Sequence, residues 1–531
     1  MKALTRRALL AAGAALPALA AAAQVARIST LDMPPLRMPV KLDDTVAPGY
    51  RRNVLVRWGD RVTYDAAPWN PQQPTPAAAA TQFGWDARIC GMVVPPVGAD
   101  GVERAVLAVA HPTADPAMAF PGGQDRPAVA AMMQGASLLN VEKQGGRWVV
   151  VDGGYQARRL SAETLCRITG PAAQVVGGMV QGLLAVSGGC PTPWGTQLLA
   201  EGDPAPWMAR LGTLDPRFTE GMHFGWVAEL DPMDPGAVPA KRTALARFPR
   251  GDAAAALSRD GRAVVYLSDR RVFGHLFRFV SDGPANAPGA LDLGTLSVAR
   301  YEAGRLRWEP LPRTVDMLLN PLAYAAQAGA IGFDVPSGLA VDPHSGWLYL
   351  ACNGNAARRP DQVDRLNPRA GNRSGHIVEI IPEGGDHGAD EAAAGVMLLG
   401  GAPPPRFAGL AGSWPDAPAT LAVDGAGRLW IGTDHAGLVG PQPDILFGCD
   451  TAGPGRGLPL PLYGAPRAAA IGGAAMSPDG MTLFAVVRTP GAEPGASYAR
   501  PGTRWPAFDP RLPPRTTLVA FSTTSGAPVG G

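Results

Sequence analysis

The chain has 531 residues, a formal net charge of +2, 46% hydrophobic residues, 67 glycines and 55 prolines. That balance excludes a disordered chain and a helical bundle, and points to a large, turn-rich soluble protein. With no dense Lys/Arg run interleaved with aromatics, the phosphate-neutralising footprint of a nucleic-acid binder is missing and that class of partner is set aside.

At the N-terminus, Thr5-Arg6-Arg7 precede an apolar run from Ala8 to Leu19 and a small-residue cleavage site near Ala23-Gln24. This predicts a twin-arginine signal peptide over residues 1–23, with a Sec leader that happens to carry adjacent arginines as the alternative. Either leader implies a periplasmic or secreted protein. The apolar run is too short for a permanent span and no later segment reaches about twenty apolar residues, so no membrane association is expected after signal removal. Residues 24–50 read as an extended N-terminal arm and residues 51–531 as a single domain without a linker. The five cysteines, Cys90, Cys166, Cys190, Cys352 and Cys449, are far apart, odd in number and free of any C-x-x-C pair. They predict no zinc site and leave disulfide pairing open.

From there on, strand-like runs of four to eight residues alternate with Gly/Pro/Asp/Asn turns, and long amphipathic helical patterns are nearly absent. Four stretches share one design: AALSRDGRAVVYLSD (255–269), LAVDPHSGWLYLACNGN (339–355), LAVDGAGRLWIGTDHAG (421–437) and AAMSPDGMTLFAVVRTPG (474–491). Each is an apolar strand, a turn with Asp and Gly, and a second strand of β-branched or aromatic residues, which is a hairpin. A recurring hairpin predicts an all-β propeller, whose function sits where loops converge on the central channel. Residues 69–82, 356–372 and 489–514 are irregular and polar, and are expected as loops over one mouth.

Further stretches carry a family resemblance: TPWGT (192–196), FGWVAELDPMDP (224–235), NPRAGNRSGHIVEI (367–380) and SPDGMTLF (477–484), in this order. The chain resembles the PhoX-type alkaline phosphatases. The resemblance implies an exported propeller of about six blades, a small phosphorylated or anionic ligand, and metal-assisted phosphomonoester hydrolysis on iron and calcium. Hard cations a few ångströms apart persist only among several carboxylate oxygens.

Carried over position by position, that ligand set is thinned. Ser187 stands at the family's metal-binding cysteine, with Cys190 three residues later. The Cys-Glu-Glu-Asn run after TPWGT reads Ala200, Glu201, Gly202, Asp203, and the His-Glu-Gly-Ala run falls on Arg250 to Ala253, leaving Asp252 as the nearest carboxylate. Ser337, Ala419 and Ala470 occupy three further acidic positions, and of the acidic pair after AVVY, Asp269 survives while Arg270 replaces its partner. A family Asn-His-Glu run reads Ala110-His111-Pro112. Glu201 and Asp269 are therefore the candidate metal ligands, with catalytic and substrate-binding residues unassigned.

Other side chains have plainer readings. His111, His387 and His435 sit on turns beside Asp, where local hydrogen bonding is the default and a small His/Asp site the alternative. Trp194, Trp347 and Trp430 read as blade core, and Arg270, Arg271, Arg358 and Arg359 as solvated charges, with anion binding in the channel as the other reading. Three functions follow: a phosphatase with a reduced calcium or iron site, a non-catalytic propeller that binds a small anion or a protein partner without metal, and a propeller hydrolase using a single metal ion.

Overall fold

The computed structural model describes residues 21–531. The twin-arginine motif and its apolar run lie outside the described residues. No helix among the described residues is long and apolar enough to cross a membrane.

The chain is all-β, with sheets built outward from a ring of six inner strands: Arg88–Val93, Val186–Pro191, Arg250–Leu257, Pro336–Val341, Pro418–Val423 and Ala470–Met476. Each packs against the next in chain order, and the last returns to the first. All four repeated hairpins of the sequence form as antiparallel pairs, each an inner strand and its neighbour. The TPWGT stretch is the turn of a fifth, between Val186–Pro191 and Gln197–Glu201. One nine-stranded sheet spans the third and fourth inner strands, joined at its middle by only two residue pairs, Leu306↔Ala392 and Arg307↔Glu391.

Apolar side chains fill the wedges between neighbouring sheets. Trp226, Phe248 and Phe277 lie in one cluster, Tyr266, Trp308 and Leu350 in a second, and Tyr349, Trp430 and Phe521 in a third. Trp430 is 1% exposed and its indole N–H donates to Asp424 Oδ2 at 2.9 Å, as a core tryptophan requires. Trp347 packs against the same cluster half-buried.

The chain termini meet. Strand Tyr50–Arg57 pairs antiparallel with Thr517–Thr523, and Thr45–Val46 extends the preceding sheet at Pro459–Gly464. Upstream, residues 21–28 are helical. Beyond them Leu31, Met33 and Met38 are buried, while Ser29 Oγ donates to Asp450 Oδ2 at 2.8 Å.

The ring is tight because glycines sit where inner strands approach. A Cβ on Gly251 would meet Pro336 O at 2.9 Å, and one on Gly338 would meet Ala419 O and Thr420 Cα at 2.8 Å. Backbone atoms of a neighbouring strand cannot rotate away from such a contact. Gly338→Ala is therefore expected to cost about 1–3 kcal/mol by overpacking, read by urea unfolding. A cost within error of zero would mean that the strands can spread.

Candidate functional site

Glu201 and Asp269 are fully buried, and their oxygens are engaged. Glu201 Oε1 accepts from Leu184 N at 2.8 Å and Lys241 Nζ at 3.0 Å, and Oε2 accepts from Gly225 N at 2.8 Å and Trp226 N at 2.9 Å. Lys241 is equally buried and also donates to His223 O at 2.8 Å. Asp269 accepts from Arg271 Nε and Nη2, each at 2.8 Å, so Arg271 is not simply a solvated charge. Neither carboxylate lines the central cavity.

The remaining candidates scatter. Ser187 is buried and donates to Arg250 O at 2.8 Å. Exposed Asp203 accepts from Ala205 N at 3.0 Å. His111 lies between Asp86 O and Ser137 Oγ, fully buried, and His387 lies 2.9 Å from Tyr266 Oη; burial lowers the pKa of both. Arg358, expected on the surface, is buried with its Nε on Asp334 Oδ1 at 2.6 Å, because the loop after Cys352 folds back over Asp334; Arg359 is exposed on Asp361. Trp194 is half-buried rather than core: its indole donates to Glu229 Oε1 at 3.0 Å, and it walls a 650 Å³ groove that shares no lining residue with the central cavity. All five cysteines are free, and burial raises the Cys190 thiol well above its ordinary pKa.

What the ring does bring together at its mouth is guanidinium and carboxylate. Arg88, at the start of the first inner strand and 2% exposed, donates through Nη1 to Ser187 O at 3.1 Å and through Nη2 to Ala419 O at 3.2 Å. It thereby ties three of the six inner strands at their mouth ends. Burial, with Arg270 and Arg488 nearby, lowers its pKa to about 10, still cationic at neutral pH. Arg488 ends the second strand of the last hairpin. Its Nε and Nη2 grip Asp86 at 2.8 Å each and its Nη1 reaches Asp434 at 2.7 Å.

Arg270 lies beside this pair, with Nη2 3.8 Å from Asp434 Oδ2 and, among the described residues, no acceptor within hydrogen-bond distance of its guanidinium. Although burial acts to raise it, Asp434 is held down at about 2 by Arg488 and Arg270. Asp252 accepts from Gly189 N, Ala253 N and Leu339 N at 2.9, 2.9 and 3.1 Å, and burial raises its pKa to about 6.

The mouth opens into a cavity of about 430 Å³ bounded by Arg210, Arg270, Arg488, Asp86, Asp115 and Asp434, with Trp85, Trp207, Ala470 and Thr489 among its walls. Trp207 and Arg210 stand on the helix Ala205–Leu211, part of a helical cap with Pro116–Ala119 and Pro127–Met133. Thr489 and Ala492 come from the 489–514 segment, which does border the mouth. Of these side chains, sequence reasoning singled out Arg270 and the Ala470 position. Asp86, Arg88, Asp434 and Arg488 were missed; the available signal was an arginine closing the apolar run LFAVVR and an aspartate closing LWIGTD.

Sheets radiating from one ring, with charged groups converging at its mouth, define a β-propeller whose candidate site is that mouth. The chain belongs to the PhoX family: the family model described as alkaline phosphatase PhoX matches residues 32–491. The structure is similar to Pseudomonas fluorescens PhoX solved in complex with vanadate, a transition state analogue, with 27% identity, a TM-score of 0.83, and 94% of this chain and 100% of that one covered. A gluconolactonase from Xanthomonas campestris also aligns, at 12% identity and a TM-score of 0.32 over 88% of this chain and 99% of that one, too distantly to carry an argument. No curated protein matches. Among the described residues, no group of three or more His, Cys, Asp or Glu side chains is placed to hold a metal ion.

Two predictions follow from this geometry. Glu201→Ala strands Lys241 as a buried unpaired cation and should destabilise the protein by about 3–5 kcal/mol in urea unfolding, while Glu201→Leu with Lys241→Met should recover much of that loss. His435 is the second case: burial acts to lower its pKa, but contacts to Asp444 at 2.6 Å and Asp416 at 3.4 Å push it up to about 10. A raised histidine pKa stabilises fully below about 6.5, and the contribution is lost as pH rises through 10. Thermal melts from pH 6 to 10 should show that loss, and His435→Gln should flatten it.

Proposed function

We propose that this chain is an exported, six-bladed PhoX-family propeller that binds a small oxyanion at its mouth through arginine. It would do so without the iron and calcium that the family resemblance implies. The observation that carries the reading is Arg270, a guanidinium at the cavity wall whose donors no acceptor among the described residues takes. An unclaimed, planar set of N–H donors is complementary to carboxylate and phosphate oxygens. Vanadate, bound by the Pseudomonas fluorescens relative, is an oxyanion of the same kind.

The donor set does not fit a cluster of multivalent ions. Ser187 and Ser337 present neutral hydroxyls occupied by backbone carbonyls, and Ala419 and Ala470 present no donor at all. Asp86 and Asp434 already share the charge of Arg488, with Arg270 3.8 Å from Asp434. Arg88 places a fixed cation among the same strands, and several positive ions beside it would lack counter-charge. Glu201 and Asp269, the surviving family carboxylates, could ligate only by giving up Lys241 and Arg271.

Isothermal titration of orthophosphate and vanadate into chelator-treated protein, with aryl phosphate turnover measured before and after iron and calcium are restored, tests this. Binding should persist without metal and weaken at least tenfold in Arg270→Ala, as expected for loss of hydrogen bonds to a charged group. Turnover that appears when several equivalents of metal are restored would identify a metal-dependent phosphomonoesterase instead. Turnover restored by a single equivalent would identify a one-metal hydrolase.

A further inference from the structure

We infer that the mouth prefers a singly charged oxyanion with two equivalent terminal oxygens, a carboxylate or a phosphodiester, over a doubly charged phosphate monoester. The inference rests on the reading of the mouth as an oxyanion site and adds its charge selectivity.

Six charged side chains face one cavity. Arg210, Arg270 and Arg488 contribute three positive charges, and Asp86, Asp115 and Asp434 three negative ones. Arg488 is spent on Asp86 and Asp434. Arg210 is spent on Asp125, through Nε at 3.1 Å and Nη2 at 2.7 Å, and on Ala114 O at 3.0 Å. Arg88, tied to two carbonyls, keeps its charge but does not line this cavity. One guanidinium remains, and it offers paired N–H donors to two oxygens that share one charge.

A second negative charge on the ligand would find no further unclaimed cation on the cavity wall. It would meet Asp434, 3.8 Å from Arg270, and Asp115, whose Oδ1 accepts from Ala117 N at 3.0 Å. Asp434 is buried in the wall, where charge is not screened as it would be in bulk water, so like-charge juxtaposition there discriminates strongly. A multivalent metal cluster would reverse this preference, because it carries more positive charge than one oxyanion neutralises. Selectivity therefore reports which kind of site is present.

The test titrates the intact protein at pH 8 with dimethyl phosphate and acetate as monoanions and methyl phosphate as the dianion, since the second ionisation of a phosphate monoester lies near pH 6. Either monoanion should bind at least tenfold more tightly than methyl phosphate. Asp434→Asn should narrow that ratio; Asp115→Asn, at an exposed helix cap that Asn also serves, should narrow it without risk to the fold. Methyl phosphate binding as well as or better than both monoanions overturns the inference and leaves the oxyanion site standing. If none of the three binds, nor orthophosphate or vanadate, the oxyanion site falls and this inference with it.

Discussion

Six strands can surround one axis only if their backbones come close together, and that closeness governs the rest of this structure. Glycine at 251 and 338 removes the side chains that would hold neighbouring strands apart. Little room is then left between the inner strands, so a side chain held among them is fixed in place and poorly hydrated. Arg88 shows the consequence: an arginine with 2% exposure is tolerated because carbonyls from two other inner strands accept its hydrogen bonds. Without those acceptors, burial of a guanidinium would be prohibitive.

Fixed charges in such a ring must balance locally. Arg488 with Asp86 and Asp434, Lys241 with Glu201, and Arg271 with Asp269 are each a buried or half-buried acid held by a base at 2.7–3.0 Å. Glu201 and Asp269, the acids that the sequence offers as metal ligands, are thus the buried acid halves of ion pairs, a role that can keep an acid in place for stability alone. A buried pair resists loss of one partner, because the survivor is left uncompensated, and this ties Glu201 to Lys241 more firmly than a solvent-facing carboxylate is tied to anything.

Much of the architecture was legible in the sequence. The hairpin at 421–437 shows its strands, its Asp/Gly turn and its core Trp430 by local pattern alone, and strands 418–423 and 429–433 form there. Inner strand Arg88–Val93 was harder, because RICGMV carries no hairpin signature and its partner begins only at Arg104. At the site, local pattern is weaker still. Arg488 and Asp86 are 402 residues apart in the chain, and what makes them partners is closure of the ring, which no window of sequence contains. Arg358 failed for the same reason: it looks solvated until Asp334, twenty-four positions earlier, is placed beside it.

Replacing acids by neutral or basic residues at a phosphate site affects binding and hydrolysis unequally. A guanidinium can match a metal ion as a donor to oxyanion oxygens, since both supply positive charge at a fixed point. It cannot supply the other half of metal chemistry. A bound metal lowers the pKa of its water to near neutrality and so creates a nucleophile, whereas an arginine offers neither a vacant coordination position nor a base at neutral pH. Arg88, even with its pKa brought down to about 10, stays protonated. The mouth has fixed cations at its wall, while His111 is enclosed between Asp86 O and Ser137 Oγ, and His435 between Asp416 and Asp444. On the reading proposed for the mouth, such a ring would keep the recognition half of phosphate chemistry apart from bond cleavage.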